Sequence, residues 1–586
     1  KDVVLTLSKL EQAIANGYYV AGYISYETGY AFEEKLWETE VPVVSPLLWF
    51  GVYTQPVIFD HRTGQFAARK KLLMEHFGAG LSDVFPPADY CLRNLQRNIN
   101  EQTYQRNIQK IKEFITSGDT YQINYTFKYT FSLHGSPLAF YFDLRKNQPV
   151  PYSAFIESDS YTILSFSPEL FFRKQGDQIT VQPMKGTATR GRNLAEDKIN
   201  MVKLKNDIKN RSENIMIVDM LRNDLGKISE IGSVRPVKLF TVEKYKTILQ
   251  MTSTITSRLC SSISLNELFH SLFPSGSVTG APKIRTMEII RELEKEPRGI
   301  YTGCIGFITP EKNAVFNVAI RTVALKKTDP LRNRCNQNYR GELGVGSGIL
   351  YDSIPKSEYQ ECCLKAQFLT APANTFQLIE TFLWHPNSGY FLLDLHLERL
   401  SASSFYFGFC FNQNKVLNRL KEEEHQFCQR PYRVRLLLAE NGEITVSSTL
   451  LEPLPRTPKV TFSHRKMRSS DIFLFHKTTK RQQYEREFNK FRKKGYYDII
   501  FQNEKGEITE GAISNIFIKQ QNILYSPPIS CGSLNGVYRT YMFRQRKYKI
   551  IEKVLNRQNI LDADSVYLSN AVRGLIKVHV VSLPEL

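Results

Sequence analysis

The sequence is poor in the features that build disulfide, metal-finger or membrane proteins. Nine cysteines are spread over 586 residues, only Cys362 and Cys363 stand close together, and no C-x-x-C pair occurs. Neither a disulfide framework nor a cysteine-ligated zinc site is expected, and a reducing, cytoplasmic setting fits best. No stretch approaches the roughly 18 apolar residues that span a bilayer, and the first residues lack a basic-then-apolar secretion pattern, so no membrane attachment is expected. Internal repeats, low-complexity tracts and proline-rich linkers are absent as well. Acidic charge is in deficit: 58 Asp and Glu against 77 Lys and Arg leave a net +19. Such an excess suits an anionic surface, a nucleic acid or small anionic substrates. Its densest stretches, Arg465–Arg468, Lys477–Arg481, Arg492–Lys494 and Arg544–Lys549, are interrupted by apolar runs. They read as solvated faces, and no nucleic-acid partner is expected.

What is present is the composition of a soluble globular chain, 42% hydrophobic and 23% charged. At this length at least two domains are expected. The best boundary is Thr370-Ala371-Pro372-Ala373-Asn374-Thr375, small and breaker residues that follow a helix-like run ending at Gln367. The chain is therefore divided into a domain over 1–370, a short linker over 371–375 and a domain over 376–586. The first mixes strand-like runs (Tyr161–Ser165, Val315–Val323) with helical ones (Tyr104–Ser117, Ile284–Leu293), which predicts an α+β domain with extensive sheet. The second alternates strands (Arg433–Leu438, Asp498–Phe501, Ile513–Ile518) with helices and suffices for two small α/β subdomains around a cleft.

Chemistry-bearing residues of the first domain fall in ordered blocks. Ser165-Phe166-Ser167-Pro168-Glu169 is followed by Pro183-Met184-Lys185-Gly186-Thr187, then by Glu213-Asn214-Ile215-Met216 running to Arg222-Asn223-Asp224. Next come Phe273-Pro274-Ser275-Gly276-Ser277-Val278-Thr279-Gly280-Ala281-Pro282-Lys283 and Gly344-Val345-Gly346-Ser347-Gly348. Glycine-rich turns let backbone N–H groups approach an anion, and Pro282 sits where a helix would begin and aim its positive end at one. Thr279, Gly280, Gly344, Gly346, Gly348 and Arg321 suit the binding of a dicarboxylate. Glu358 and Glu361, three apart on a helix, share a face and with Glu213 could offer the hard oxygen ligands that magnesium prefers.

In this order the blocks resemble the chorismate-utilising family, which includes anthranilate synthase component I, aminodeoxychorismate synthase component I and isochorismate synthase. The resemblance runs from about Ala21 to Gln367 and implies a large sandwich with the site in a central cleft. It implies Mg2+ on Glu213 and Glu361, with Glu358 beside them. Lys185 selects within the family, because the anthranilate synthases that resemble this chain carry alanine there and aminodeoxychorismate synthases carry lysine. The implied chemistry has a neutral Lys185 amine add to chorismate at C2 as the C4 hydroxyl, protonated by Glu169, departs; ammonia then enters at C4 and expels the lysine. Thr187 belongs to the same block. Gln250 stands where the family often has histidine, and a glutamine there can still hydrogen-bond substrate. No glutaminase motif with a nucleophilic cysteine occurs, so ammonia is expected from a separate glutamine amidotransferase subunit or from solution.

In the second domain, Phe475-His476-Lys477-Thr478, Glu507-Ile508-Thr509-Glu510-Gly511 and Asp394-Leu395-His396-Leu397-Glu398-Arg399 resemble the fold-type IV pyridoxal 5'-phosphate enzymes. These include aminodeoxychorismate lyase and the branched-chain and D-amino-acid aminotransferases. The resemblance makes Lys477 the lysine that bonds the cofactor and Glu510 the partner of its pyridinium nitrogen. It makes Arg399 a phosphate ligand, with Gly536, Val537, Ser569 and Asn570 in the loops that complete the phosphate cup, counts Asn515 among the cofactor-binding residues, and sets Thr381 near the departing group. Such relatives imply a homodimer through this domain. The fusion partner favours a lyase, so that the whole chain is expected to make 4-aminobenzoate for folate. The alternatives are a synthase joined to an aminotransferase and, outside enzymes, a basic nucleic-acid-binding protein on a retired scaffold.

Overall fold

The structure, a computed structural model, describes residues 2–36, 45–60, 65–66, 89–246, 248–328, 338–370, 375–545 and 547–581. It divides into two compact units, 1–189 with 201–374 and 190–200 with 375–586. Residues 371–374 of the expected linker lie outside the described residues. Among the described residues no helix is long and apolar enough to cross a membrane.

Unit 1 is built on two antiparallel sheets. Nine strands form the first, in the order Met184–Thr189, Ile248–Arg258, Gln178–Gln182, Leu170–Gln175, Ala314–Val318, Cys304–Ile308, Tyr19–Ile24 and Leu48–Tyr53, with Arg235–Lys244 also on Ile248–Arg258. The second orders Gly280–Ala281, Gln122–Gly135, Asn338–Ile349, Thr322–Lys327, Tyr161–Ser167 and Tyr152–Glu157, with Tyr90–Arg97 on Gln122–Gly135. Tyr23, Ile300, Ile305 and Ala319 meet Ile163 in an apolar layer that joins strands of both sheets, the sandwich arrangement expected. Helices cover other faces. Leu7, Leu10 and Ile14 of Asp2–Ala15 and Ile217, Val218 and Leu221 of Ile208–Gly226 pack on the first sheet. Tyr104, Ile108 and Ile111 of Glu101–Thr116 pack on the second, and that helix starts where the Asn100 side chain accepts from Thr103 N–H.

One expected strand divides. Val315–Val323 reads as a single run, yet Ala314–Val318 belongs to the first sheet and Thr322–Lys327 to the second. Arg321 between them holds φ +50°, a left-handed turn that no continuous strand passes through.

Unit 2 has two sheeted halves. A four-stranded antiparallel sheet, Gly389–Tyr390, Leu378–His385, Tyr432–Leu438 and Ile444–Leu450, buries Leu378, Phe382 and Val434 against helices Leu393–Phe407 and Gln413–Glu424. An eight-stranded mixed sheet runs Ile508–Gly511, Asp498–Asn503, Lys459–Met467, Gly574–Val580, Ser565–Asn570, Asn515–Gln520, Ile523–Ser526 and Ile550–Glu552. The expected strand Ile513–Ile518 starts later, at Asn515. Before it, Gly511 N–H bonds Ser514 O in a turn, and the buried Asp498 carboxylate accepts from Ala512 N–H.

Candidate functional site

In unit 1 the neighbours of Lys185 come from five separate stretches of chain. Lys185 lies in the edge strand Met184–Thr189, and its Nζ is 4.0 Å from Oε2 of Glu213, on helix Ile208–Gly226. A Cβ added to Gly348 would overlap that Nζ, so the glycine is what leaves room for the amine. Glu169, in the turn between strands Tyr161–Ser167 and Leu170–Gln175, is buried beside Lys185, bonded by the Ser277 hydroxyl and Met184 N–H.

The electrostatics match a proton donor next to an amine. Burial raises the Glu169 carboxyl to about 7, against the opposing pull of Ser277, Lys185 and Met184. Burial also lowers Lys185 from the ordinary lysine value, while Glu213, Glu361 and Glu358 pull it back and Lys365 assists the lowering. Gln122 shares this place and was not read from the sequence. It is fully buried, its amide lies against the Gly348 position, and both of its polar atoms lack a hydrogen-bond partner in the structure. A buried amide left with its donors and acceptors unused points to a polar guest.

The other expected residues divide. Gly280 meets the same strand, opposite Ile123, where any side chain would strike Gln122 O, and Thr279 O accepts from Asn124 N–H. Thr187 Oγ1 donates to Gln250 Oε1 across paired strands at 3.0 Å. Gly346 and Gly344 continue along the strand of Gly348, but the room beside Gly344 is filled by the Tyr301 ring. Arg321 donates to Gln148 Oε1 and is shielded enough that burial lowers its own protonation equilibrium.

Glu213, Glu358 and Glu361 all face Lys185, yet as placed they do not converge. Glu358 Oε1 accepts from Ser353 Oγ at 2.8 Å, and Glu361 pairs with Lys365 at 2.7 Å. Among the described residues no group of three or more His, Cys, Asp or Glu side chains is close enough to hold a metal ion. The donor set is all carboxylate, which is the chemistry a hard divalent cation takes.

In unit 2, Lys477 is set by main-chain pairing, since its carbonyl accepts from Ile379 N–H at 2.8 Å and Thr479 N–H bonds Gln377 O at 2.9 Å. Burial brings the Lys477 amine down to about 7, with Arg481 and Arg399 lowering it further against Glu380 and Glu510. Burial raises Glu510 to about 7, opposed by Arg481, the Tyr484 hydroxyl and Leu534 N–H. Tyr484 donates to Glu510 Oε1 at 2.8 Å and Leu534 N–H to Oε2 at 3.1 Å. Arg399 holds Glu380 with two N–H groups at 2.9 and 2.6 Å, and His396 Nδ1 meets the same carboxylate at 2.6 Å. This triad also escaped the sequence reading, although His396 and Arg399 lie three apart on one helix, spacing that puts them on one face. Glu380 and Thr381 are consecutive on strand Leu378–His385 and so face opposite sides of it.

A cradle lies across the eight-stranded sheet. Asn515 opposes Ser569 in register, Asn515 Nδ2 bonds Leu534 O at 2.8 Å, and Gly536 is packed so closely on Asn515 Oδ1 that no side chain fits there. Val537 opens helix Val537–Gln545, whose first N–H groups need acceptors. Asn570 Oδ1 accepts from Val572 and Arg573 N–H. Ser569 Oγ and His396 Nε2 are buried without a hydrogen-bond partner in the structure. A cradle of this kind, with an orphaned hydroxyl and a helix start, fits a phosphate group.

Comparison with known proteins gives these arrangements a lineage. Residues 2–371 match the family described as chorismate binding enzyme, and residues 377–581 match amino-transferase class IV. Aminodeoxychorismate synthase component 1 of Escherichia coli strain K12 is 32% identical over 58% of this chain and 73% of its own length. Anthranilate synthase component 1 of Lactococcus lactis is also 32% identical, over 59% of this chain and 77% of its own. The Bacillus subtilis aminodeoxychorismate synthase component 1 is 37% identical over 45% of this chain, and the match spans 54% of that relative's length. Among solved structures, anthranilate synthase component I of Streptococcus pneumoniae TIGR4 superposes with a TM-score of 0.53 at 28% identity, over 60% of this chain and 80% of that one. The chain belongs to the chorismate binding enzymes, with a class IV amino-transferase unit fused behind that domain.

Proposed function

We propose that the chain makes 4-aminobenzoate in two steps, converting chorismate and ammonia to 4-amino-4-deoxychorismate in unit 1 and eliminating pyruvate from that product in unit 2. The observation that carries the reading is the pairing of Lys185, lowered by burial, with Glu169, raised to about 7, in the clearance left by Gly348. A relative with alanine at that lysine position would lack the amine altogether.

In the first step the neutral Lys185 amine forms a bond to C2 of chorismate. Both conjugated ring double bonds shift, C1=C2 to C6=C1 and C5=C6 to C4=C5, and the C4 hydroxyl leaves as water on taking the Glu169 proton. Ammonia then bonds C4, both double bonds return, and the C2–N bond to Lys185 breaks, Glu169 recovering a proton from the new ammonium. Gln122, with a free donor and a free acceptor, orients the polar groups of the ring. Glu213, Glu358 and Glu361 would hold Mg2+, whose charge would neutralise a substrate carboxylate. Ammonia comes from a separate glutamine amidotransferase.

In unit 2, Lys477 would bond the carbonyl carbon of pyridoxal 5'-phosphate, Glu510 would face its ring nitrogen, and Asn515, Gly536, Val537, Ser569 and Asn570 with Arg399 would surround its phosphate. The cofactor supplies an electron sink for charge developing at C4. Lys477, brought to about 7, is suited both to bond the cofactor and to take the C4 proton as the enolpyruvyl group departs. This unit is also the proposed dimer contact.

The test is to give the purified protein chorismate, magnesium, ammonia and pyridoxal phosphate. Equimolar 4-aminobenzoate and pyruvate are expected. Anthranilate as the main product overturns the Lys185 assignment, and transamination between glutamate and keto acids with no pyruvate release replaces the lyase by an aminotransferase.

A further inference from the structure

Unit 2 contains a segment far from the rest of it in sequence. Arg190–Asn200 follows directly on the strand Met184–Thr189, yet it clusters with 375–586. Its attachment is specific. The Arg190 guanidinium lies 4.3 Å from the centre of the Tyr406 ring and bonds Tyr406 O at 3.1 Å, while two of its nitrogens grip the Asp197 carboxylate. Both partners of that pair are buried, with side chains 5% and 3% exposed. The Tyr406 hydroxyl donates to Gly191 O at 2.6 Å, and a side chain at Gly191 would collide with the main chain of Glu196 and Asp197. Arg192 stacks on the Phe475 ring at 4.5 Å and bonds Ser469 O and Ser530 O.

These contacts converge on the residues immediately before Lys477. His476 Nε2 lies 3.2 Å from Arg192 O, and His476 Nδ1 lies 3.0 Å from Ser403 Oγ. A carbonyl can only accept, so Nε2 carries the hydrogen and Nδ1 receives the Ser403 hydroxyl. Burial keeps the ring neutral by lowering it to about 4. The Tyr406 and Phe407 rings both pack against the imidazole, with centroids 4.4 and 4.7 Å away. Lys477 is thus fixed from two directions: its own main chain pairs with strand Leu378–His385, and the preceding residue is hydrogen-bonded to a segment from before residue 201.

We infer that Arg190–Asn200 is a built-in part of the second site, and that Gly191, Arg192, Tyr406 and His476 are positioning residues that set where the Lys477 amine stands. The inference rests on Lys477 being the lysine that bonds pyridoxal phosphate. The amine lies among Arg481, Arg399, Glu380, Glu510 and His396. A displacement of the main chain at His476 therefore changes its distance to five charged or titratable groups, and with it the pH at which it loses a proton.

The experiment uses the full chain with added pyridoxal phosphate and reads the dissociation constant and the pH midpoint of the visible absorbance of the bound cofactor. His476→Leu, which removes both hydrogen bonds, and Tyr406→Phe, which removes the hydroxyl on Gly191 O, are each expected to weaken cofactor binding about tenfold, as the loss of buried hydrogen bonds does. Each is also expected to move the midpoint. His476→Gln, which keeps a donor and an acceptor, is expected to restore both quantities most of the way. Wild-type affinity and midpoint in His476→Leu and Tyr406→Phe, or a lower melting temperature with the midpoint unmoved, overturns the inference. Lys477→Ala separates the two levels: persistence of the pH-dependent band there sinks the assignment of Lys477 and the inference with it, whereas its disappearance leaves the first pair of variants as the judges.

Discussion

The amine of Lys185 occupies the space that a Cβ on Gly348 would fill. The glycine is on the strand Asn338–Ile349 and the lysine on Met184–Thr189, strands of different sheets, so the amine of one sheet is seated by the missing side chain of the other.

Gly348→Ala should therefore displace the amine without unfolding the domain, because the atom it strikes is the end of a flexible side chain and this glycine is not among those at positive φ. A shift of about 1 Å in a reacting group costs on the order of 100-fold in rate. Chorismate consumption should fall by about that factor while the melting temperature stays near that of the unmutated protein. Unaltered consumption would remove Lys185 from the chemistry.

The order of the two steps gives a paired test. Lys185→Ala should stop formation of 4-amino-4-deoxychorismate, and Lys477→Ala should let it accumulate with no 4-aminobenzoate. Chromatography of the products over time distinguishes the two. Release of 4-aminobenzoate by Lys477→Ala at the normal rate would take the second unit out of the reaction.

Glu169 must be protonated to act as an acid, and burial sets that equilibrium at about 7. The chorismate step should lose rate as pH rises through about 7. Glu169→Gln should cost about 100- to 10,000-fold and abolish the alkaline limb. A pH profile of kcat/KM for both proteins checks this, and retention of that limb in the variant excludes Glu169 as its source.

Glu169 also links pH to stability. Its folded value, about 7, exceeds the ordinary 4.5, so between those values the folded protein holds a proton that the unfolded chain has released. That contribution is fully present below about 4.5 and is lost as pH rises through about 7. Glu169→Gln should therefore flatten the fall in the urea midpoint between pH 5 and pH 7. An unchanged slope would assign the fall to other groups.

Arg298 is buried, bonds Glu294 with two nitrogens and also donates to Val278 O and Asn124 O. Arg298→Met strands the Glu294 carboxylate and should cost about 3–5 kcal/mol of unit 1 stability. Replacing both partners, with Glu294→Gln added, should recover part of that loss in a denaturant titration.

The sequence by itself determined the two-part plan and supplied the residues on which the proposed chemistry rests. Lys185, Glu169, Lys477 and Glu510 lie in local blocks whose residue order is diagnostic, and the helix Lys283–Leu293 begins just after Pro282, where the proline predicts it. Such features are legible because they depend on near neighbours in the chain. Only the tertiary structure decided that Val315–Val323 breaks at Arg321 into two sheets, that Gln122 stands unpaired beside Lys185, that Glu380 binds both His396 and Arg399, and that Arg190–Asn200 packs around His476. Each of these is a meeting of segments remote in sequence, and hydrophobic periodicity records which side of an element is buried but not which distant element covers it.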